Sequence, residues 1–217
     1  MLQLLSLKKC YADLPVFNDV SLSLARGEFV ALLGESGVGK STLLNCIAGL
    51  DEADSGQVLI QGQDLKGLDD SARARLRREQ LGFVFQAFHV LPHLTVAENV
   101  SLPLRLQNRL NPERVAQVLA DVGLGELGQR LPAQLSGGQL QRVAIARAVV
   151  HAPGLILADE PTGNLDPVTA DKVLRVLREQ VREAGSACLL VTHSVAAAAA
   201  ADRVLRLTPR GIEAAGS

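Results

Sequence analysis

The segment GESGVGKS, residues 34–41, combines residue types that can bind a phosphate group. It lies between the apolar run FVALL (29–33), typical of a buried strand, and a helix-like run that begins at residue 42. Glycines let a loop approach an anion closely, and the free N–H groups at a helix N-terminus favour negative charge. Lys40 can reach the outer phosphates of a nucleotide, and the hydroxyl of Ser41 can bind magnesium. This spacing predicts a phosphate-binding loop rather than an ordinary glycine-rich turn.

Two carboxylates, Asp159 and Glu160, end another apolar run, LILADE (155–160). In open α/β sheets ligands collect at the carboxyl ends of the strands, so both acids should face the same crevice as the glycine-rich loop. Asp159 can then hold magnesium through water, and Glu160 can orient and deprotonate an attacking water. The alternative is that these acids cap the helix that follows them.

A second glycine-rich segment, LSGGQLQRVAIARAVV (135–150), places Ser136, Gly137 and Gly138 before a helix-like run. Serine is a favoured N-cap residue, and the two glycines leave the backbone N–H groups accessible. The pattern indicates either a simple helix cap or a second helix end that binds an anion.

The composition is that of an ordinary globular protein, with 217 residues, 47% hydrophobic residues and a formal net charge of −1. This balance argues against a nucleic-acid partner and against electrostatic binding to an anionic membrane. Four arginines cluster within residues 71–80, where a solvated helix face is favoured over a partner site.

The cysteines and the apolar runs indicate where the chain should reside. Cys10, Cys46 and Cys188 are far apart, which predicts buried or half-buried thiols in a reducing compartment. No apolar window approaches the ~20 residues that span a bilayer, and no signal peptide is recognisable. We therefore expect that the chain neither crosses a membrane nor is exported.

Short apolar runs alternate with helix-like segments, which predicts an α/β fold with a mostly parallel core sheet. The candidate core strands are 29–33, 155–159 and 187–193, and an antiparallel β flank is expected from 2–7 and 20–24. Prolines and helix-like runs between about 87 and 150 predict a helical insert, which includes an amphipathic helix over 112–124. The alanine run 196–201 predicts a surface helix before a strand at 203–207.

GESGVGKS, LSGGQ (135–139), LILADEP (155–161) and the histidine that ends LLVTH (189–193) together resemble the ATP-binding subunit of ABC transporters. LSGGQ is the discriminating motif, and the resemblance extends from Tyr11 to the strand at 203–207. It implies a P-loop NTPase of the ABC ATPase type in a single domain over 1–217. Within that domain, 1–86 and 151–217 would form the RecA-like core with its β flank, and 87–150 the helical subdomain. The implied cofactors are ATP and Mg²⁺.

The resemblance also assigns roles to individual residues. It implies that ATP is bound by the Tyr11 ring, stacked on adenine, and by Gly34, Glu35, Ser36, Gly37, Val38, Gly39, Lys40, Ser41 and Thr42. The catalytic residues would be Glu160, His193 and Gln86, and the magnesium site would involve Ser41, Gln86 and Asp159. Residues Ser136, Gly137, Gly138 and Gln139 would contact ATP held by a partner subunit, beside the dimer loop at Asp166. The alternative for Tyr11 is an edge-strand tyrosine. Without the resemblance, the residues alone would favour a strand-end histidine at His193 and a turn with a helix cap at Asp166.

The same resemblance implies a head-to-tail homodimer bound to separate integral membrane permease subunits, at the cytoplasmic face of the inner membrane. The permease should dock near Gln86, and Phe88 would serve either in docking or in packing. The segment RREQLGFVFQAFHVLPHLTVAENVSLPL (77–104) is similar to the branch with lipoprotein-release, macrolide-export and division-linked ATPases. The alternative function is a soluble ABC-type ATPase that acts on a non-transport partner.

Overall fold

The fold consists of two β-sheets with helices packed against them. The structure, a computed structural model, describes residues 1–12 and 14–214. The strands are β1 (Leu2–Tyr11), β2 (Leu14–Leu24), β3 (Phe29–Leu33), β4 (Ser55–Ile60), β5 (Gln63–Asp64), β6 (Leu81–Phe85), β7 (Leu155–Asp159), β8 (Ala187–Thr192), β9 (Arg203–Thr208) and β10 (Gly211–Ala214). The helices are α1 (Lys40–Ile47), α2 (Asp70–Gln80), α3 (Val96–Leu106), α4 (Pro112–Asp121), α5 (Gly137–Val149), α6 (Pro167–Ala184) and α7 (Val195–Ala198).

The larger sheet has six strands in the order β10-β9-β3-β8-β7-β6. Four of its five pairs of neighbouring strands are parallel, and the β9–β10 pair at one edge is antiparallel. Strands β3 and β8 are buried at every position, as continuous apolar runs require when helices cover both faces of a sheet. The carboxyl ends of β3, β6, β7 and β8 therefore meet at one edge of the sheet.

The smaller sheet is antiparallel, in the order β2-β1-β4-β5. Buried and exposed residues alternate over most of β2, as expected for a sheet with one face on the core. This sheet and α1 enclose one hydrophobic core with one face of the parallel strands, and helices α3 to α6 enclose a second core on the opposite face. The predicted parallel core sheet with an antiparallel flank is thus observed.

The junction between β6 and α5 is one of the closest contacts in the fold. A Cβ atom at Gly82 would collide with the main-chain oxygen of Ala148. Glycine is required at this position because any side chain would push the helix away from the strand.

Two predicted helices differ from the observed ones. The amphipathic helix expected over 112–124 ends at Asp121, and Gly123 follows with a left-handed φ of 70°. The surface helix predicted over 196–201 is present before β9, but it is shorter and only partly exposed. Helix α7 spans only Val195–Ala198, and Ala197 and Ala198 are buried against the core. Alanine is small enough to pack closely there, so helix propensity alone misjudged both the length and the exposure of this segment.

No helix in residues 1–12 and 14–214 is both long and apolar enough to cross a bilayer.

Candidate functional site

The glycine-rich loop connects the end of β3 to the start of α1 and curls around the ammonium group of Lys40. Gly37 and Gly39 have φ values of 82° and 98°, in the left-handed region that favours glycine. Lys40 Nζ donates hydrogen bonds of 2.8 Å to the carbonyl oxygens of Gly34 and Glu35. The loop therefore holds a buried cation at a helix N-terminus, which is the charge arrangement that an anion requires.

Asp159, at the carboxyl end of β7, lies next to the first turn of α1. Its Oδ2 accepts a 2.8 Å hydrogen bond from the hydroxyl of Ser41. Burial raises the pKa of the Asp159 carboxyl, the neighbouring Glu160 raises it further, and the hydrogen bond from Ser41 opposes this rise. A carboxylate that is partly desolvated in this way is poised to accept a cation.

Glu160 is held in one orientation by three hydrogen bonds from the end of β8. Its Oε2 accepts from the Thr192 hydroxyl at 2.9 Å, and its Oε1 accepts from the main-chain N–H of His193 at 2.9 Å. His193 Nδ1 lies 2.8 Å from the same Oε1. The φ of Glu160 is 45°, and non-glycine residues with such strained backbone cluster at functional sites. Lys40 Nζ is 4.0 Å from Oε1, so the acid faces the glycine-rich loop.

Gln86 follows the end of β6 and is tied to the loop after β7. Its Nε2 donates to Asn164 Oδ1 at 3.1 Å, and Asn164 Nδ2 donates back to the carbonyl oxygen of Gln86 at 3.1 Å. Gly163 makes room for this pair, because a Cβ atom there would lie 2.8 Å from Gln86 Nε2.

These groups line one cleft of about 530 Å³, here called the central cleft. Most of the predicted site residues lie on its wall: Tyr11, Ser36, Gly37, Gly39, Lys40, Ser41, Thr42, Gln86, Asp159, Glu160 and His193. Val16 also lines it and was not predicted. Gly34, Glu35 and Val38 belong to the loop without lining the cleft, and the first two contribute their carbonyl oxygens to Lys40.

Tyr11 stands at one end of the central cleft, with its ring half exposed. Its hydroxyl donates a 2.6 Å hydrogen bond to Asp51 Oδ2, and Lys9 Nζ lies over the ring at 4.9 Å from its centroid. The hydrogen bond to Asp51 is the main cause that raises the pKa of Tyr11, followed by burial.

The predicted partner-facing residues lie away from the central cleft of their own chain. Ser136 is the N-cap of α5, where its Oγ accepts from Gln139 N at 3.3 Å and Gln139 Oε1 accepts from Ser136 N at 2.8 Å. Gly137 is exposed beside them, and Gly138 packs against Thr169. Asp166 caps α6 by accepting from the N–H groups of Val168 and Thr169, both at 3.1 Å. The Thr169 side chain, followed by these main-chain bonds, lowers the pKa of Asp166.

Three residues that support the site were missed by the sequence reasoning. Thr192 orients Glu160, Asn164 holds Gln86, and Asp51 holds Tyr11. Each is far in sequence from the group that it contacts, so spacing carries no signal for it. Thr192 lies within the motif LLVTH, and Asn164 lies two residues before the predicted dimer-loop residue Asp166, so these positions were the available clue.

The oxygen donors in the central cleft suit magnesium. Ser41 and Asp159 offer a hydroxyl and a carboxylate that already touch, and magnesium prefers such hard oxygen ligands. Within residues 1–12 and 14–214, no group of three or more His, Cys, Asp or Glu side chains could hold a metal by itself.

Comparison with known proteins decides the family. Residues 17–163 match the family model described as ABC transporter. This chain belongs to the ABC transporter family. It is 48% identical over 196 residues to the lipoprotein-releasing system ATP-binding protein LolD of Roseobacter denitrificans, covering 88% of this chain and 86% of that protein. It is 43% identical to the macrolide export ATP-binding/permease protein MacB of Syntrophobacter fumaroxidans, covering 98% of this chain but 31% of that protein.

Solved structures lead to the same family. The dimeric structure of MJ0796, a bacterial ABC transporter cassette, aligns with a TM-score of 0.86 at 38% identity, over 98% of this chain and 97% of that one. A dimeric post-hydrolysis state of the same cassette, bound to ADP and Pi, aligns with a TM-score of 0.85 at 36% identity, over all of both chains. The predicted ABC ATPase fold is confirmed, and this member of the ABC transporter family is an ATP-binding, ATP-hydrolysing subunit.

Proposed function

We propose that the chain binds ATP with Mg²⁺ in the central cleft and works as a homodimer that drives separate permease subunits. The observation that supports this most directly is the convergence of Lys40, Ser41, Asp159 and Glu160 on one cleft, while the exposed glycine end of α5 lies elsewhere. One chain thus has a phosphate site and a second anion-binding helix end that its own cleft does not use.

Lys40 and the loop N–H groups would bind the β- and γ-phosphates, and Ser41, Asp159 and Gln86 would hold magnesium. The Lys40 ammonium would exchange its bonds to the Gly34 and Glu35 carbonyls for phosphate oxygens. Magnesium supplies positive charge to the phosphate oxygens when it is bound. Because Asp159 is already desolvated, a cation beside it would relieve the cost of its buried charge.

Glu160 would act as the general base for hydrolysis. It accepts a proton from a water whose oxygen attacks the γ-phosphorus, while the bond from that phosphorus to the bridging oxygen breaks and ADP leaves. Thr192 and the main-chain N–H of His193 keep the carboxylate pointed at the water. Because His193 Nδ1 contacts Glu160, the Nε2 of the ring would meet the γ-phosphate.

The partner subunit would complete the site. The helix end at Ser136, Gly137, Gly138 and Gln139 would cover the γ-phosphate bound by the other chain, and Asp166 would contact the partner beside it. ATP would then favour the closed dimer through its differential affinity, and hydrolysis would remove that preference. The dimeric state of the MJ0796 cassette supports this arrangement.

The permease would dock in a groove between β6 and α3, with a volume of about 360 Å³, here called the β6–α3 groove. The aromatic rings of Phe83 and Phe85 line it, stacked with centroids 5.5 Å apart, together with His89 and several arginines. Phe88 is half-buried and its ring lies near Gly137, so the geometry favours packing over docking for that residue. Residues 87–150 would move as a helical subdomain against the core formed by 1–86 and 151–217.

The transport system would belong to the branch that includes the named relatives, with lipoprotein release or macrolide-type export as the task. The subunit would then sit peripherally at the cytoplasmic face of the inner membrane, attached through its permease. High identity to the protein named for lipoprotein release over most of both chains supports this branch.

Glu160→Gln tests the proposal. The variant should bind ATP, form a dimer that persists in ATP, and hydrolyse it about 10² to 10⁴ times more slowly, as expected when a general base is lost. Size-exclusion chromatography with and without ATP measures the dimer, and phosphate release measures turnover. Lys40→Ala is the comparison variant, and it should lose nucleotide binding altogether.

Near-normal turnover of the Glu160→Gln protein would contradict the assigned base. The tagged variant, purified with ATP from detergent-solubilised membranes, should bring down polytopic membrane proteins that mass spectrometry identifies. Recovery of ribosomal or DNA-bound partners alone would instead establish the soluble, non-transport function.

A further inference from the structure

A cluster of three side chains lies beside the central cleft, outside the phosphate machinery. Lys9 and Tyr11 come from the end of β1, and Asp51 comes from the loop after α1. That loop turns back on the helix, because the N–H groups of Leu50 and Asp51 donate to the carbonyl oxygen of Asn45 at 2.9 and 3.3 Å. The C-terminal side of α1 thus carries Asp51 to the aromatic ring.

Asp51 uses both carboxylate oxygens on this cluster. Its Oδ1 accepts from Lys9 Nζ at 2.6 Å, and its Oδ2 accepts from the Tyr11 hydroxyl at 2.6 Å. Lys9 Nζ donates a second bond of 2.6 Å to the carbonyl oxygen of Glu52. Charge-assisted hydrogen bonds of this length are the strong ones, and the Lys9 side chain is only 9% exposed.

The contacts restrict the Tyr11 ring at two points. The hydroxyl is anchored to Asp51, and one face of the ring is covered by the Lys9 ammonium in a cation–π contact. Tyr11 as a whole is still 50% exposed, so part of its surface is available to a planar ligand. A ring fixed before the ligand arrives loses less rotational freedom on binding than a free one.

We propose that Asp51 and Lys9 are positioning residues that hold Tyr11 in the orientation in which it stacks on adenine. This inference rests on the proposed binding of ATP by Tyr11 and adds the two groups that pre-organise the ring. Helix α1 then serves both ends of the nucleotide. Its first turn presents Lys40 and Ser41 to the phosphates, and the loop after its last turn secures the base.

The test compares ADP with inorganic pyrophosphate, which carries phosphates without a base. Tyr11→Ala should weaken ADP binding about 5- to 150-fold, the range found for the loss of base–aromatic stacking. Asp51→Asn should weaken ADP binding about 3- to 10-fold, because the amide offers one acceptor oxygen for two donors. Neither change should alter the pyrophosphate Kd measured by calorimetric titration.

The double variant separates positioning from a general structural role. Adding Asp51→Asn to Tyr11→Ala should cause no further loss of ADP affinity, because Asp51 acts through the ring. Lys9→Met, which keeps the apolar stem, should weaken ADP binding in the same direction as Asp51→Asn. Asp54→Asn is the matched control. Asp54 accepts a hydrogen bond from Cys10 N, and an amide oxygen can retain this bond. The affinities for ADP and for pyrophosphate should therefore stay unchanged.

The ring also reports on its own environment, since the chain contains one tyrosine and no tryptophan. Its ultraviolet absorbance during an alkaline titration therefore follows Tyr11 alone. The hydrogen bond to Asp51 raises the Tyr11 pKa, so Asp51→Asn should lower it towards the ordinary value near 10.0. Asp54→Asn should leave the titration where it is in the unaltered protein.

The outcomes distinguish a failure of Tyr11 stacking from a failure of the positioning role of Asp51 and Lys9. If Tyr11→Ala leaves ADP affinity unchanged, stacking is wrong, and the positioning role is overturned with it. If Tyr11→Ala weakens ADP but Asp51→Asn and Lys9→Met do not, the positioning role alone is overturned and the ATP site stands. Equal losses for ADP and pyrophosphate in Asp51→Asn would also overturn it, because they would indicate damage to the phosphate loop.

Discussion

At the scale of single residues, the central cleft keeps two adjacent carboxylates in different environments. Glu160 receives three hydrogen bonds from the end of β8 and is held rigidly. Among the residues that the structure describes, the Asp159 side chain has one hydrogen-bond partner, Ser41, and burial raises its pKa. The two acids are therefore suited to different tasks, one to direct a water and the other to receive a cation.

Asp159→Asn should stabilise the nucleotide-free protein and impair hydrolysis. The folded-state pKa of Asp159 lies above 3.8, the ordinary value for an aspartate, so the stability associated with this group is fully present below that value. It is lost as the pH rises through the folded-state pKa, and at neutral pH the buried charge is a cost that asparagine removes. The melting temperature at neutral pH should rise, and the difference from the unaltered protein should shrink towards pH 3.8.

Turnover of the same variant should fall about 10- to 100-fold, the usual loss when an outer-shell group of a metal is replaced. Asp171→Asn is the control, since Asp171 forms only an exposed ion pair with Arg175. This substitution should change neither the melting temperature nor the turnover measurably. A lower melting temperature for Asp159→Asn would contradict the assigned cost of burying its charge.

Residue types and spacing were enough to predict most of the groups that line the central cleft, but not the groups that hold them. The glycines, Lys40 and Ser41 occur in a contiguous motif whose backbone conformation follows from local sequence. Thr192, Asn164 and Asp51 act through hydrogen bonds across strand ends, and only the register of the folded sheet brings them into contact. The proposed roles of the site residues remain predictions for the experiments above.

At the scale of elements, the contact between β6 and α5 connects the end of the sheet to the second glycine-rich helix. Gly82 lies against the main chain of Ala148, and Gln141 Nε2 donates to the carbonyl oxygen of Phe85 at 3.3 Å. Arg147 Nη2 donates to the carbonyl oxygen of Phe88 at 2.9 Å, just after the strand. Strand and helix are thereby joined by a close main-chain approach and by side-chain hydrogen bonds to main-chain oxygens, as well as by apolar packing.

Gly82→Ala should destabilise the protein by about 1–3 kcal/mol, the range for overpacking a tight core, because the new methyl group would meet a main-chain oxygen that cannot rotate away. Urea denaturation measures the change in the free energy of unfolding. Gly67→Ala provides the comparison, since a Cβ atom there would meet nothing within 4 Å and its φ is not positive. That change should stay within about 0.5 kcal/mol. Equal effects of the two substitutions would refute the close approach.

The order and type of the main elements were predictable because continuous apolar strands and amphipathic helices have distinct periods. The error at α7 has a physical cause. A run of alanines has no polar face, so it contains no information about which side turns to solvent. The fold decides, and it buries Ala197 and Ala198 against the core. The boundary between the core and a helical subdomain at residues 87–150 is still a prediction.

At the scale of the whole molecule, the exposed end of α5 is the clearest sign of an incomplete site. Gly137 is exposed, and a Cβ atom there would make only ordinary contacts, at 3.6 Å to Leu165 and 3.8 Å to Phe88. A side chain would thus fit in the isolated subunit. If glycine is needed here, the reason lies in another molecule.

Gly137→Glu should separate stability from assembly. A carboxylate in the first turn of a helix interacts favourably with the helix dipole, so the isolated subunit should be as stable as before or slightly more so. In the closed dimer the same charge would face the γ-phosphate of the partner's ATP and repel it. In the Glu160→Gln background, the ATP-dependent dimer should be lost in size-exclusion chromatography, and ADP affinity should be unchanged.

Gly137→Ala serves as the uncharged control for that experiment and should retain most of the dimer. A dimer that forms normally with Gly137→Glu would argue against the head-to-tail arrangement. Loss of ADP affinity in the same variant would mean that α5 acts within its own subunit.

The amide pair between Gln86 and Asn164 is a weak connection between the end of β6 and the loop after β7. Both hydrogen bonds are 3.1 Å long and exposed to solvent. A neutral hydrogen bond contributes about 1 kcal/mol to the free energy of unfolding. Thermal motion can break such exposed bonds without disturbing either hydrophobic core, so they join the end of β6 to the loop after β7 only weakly.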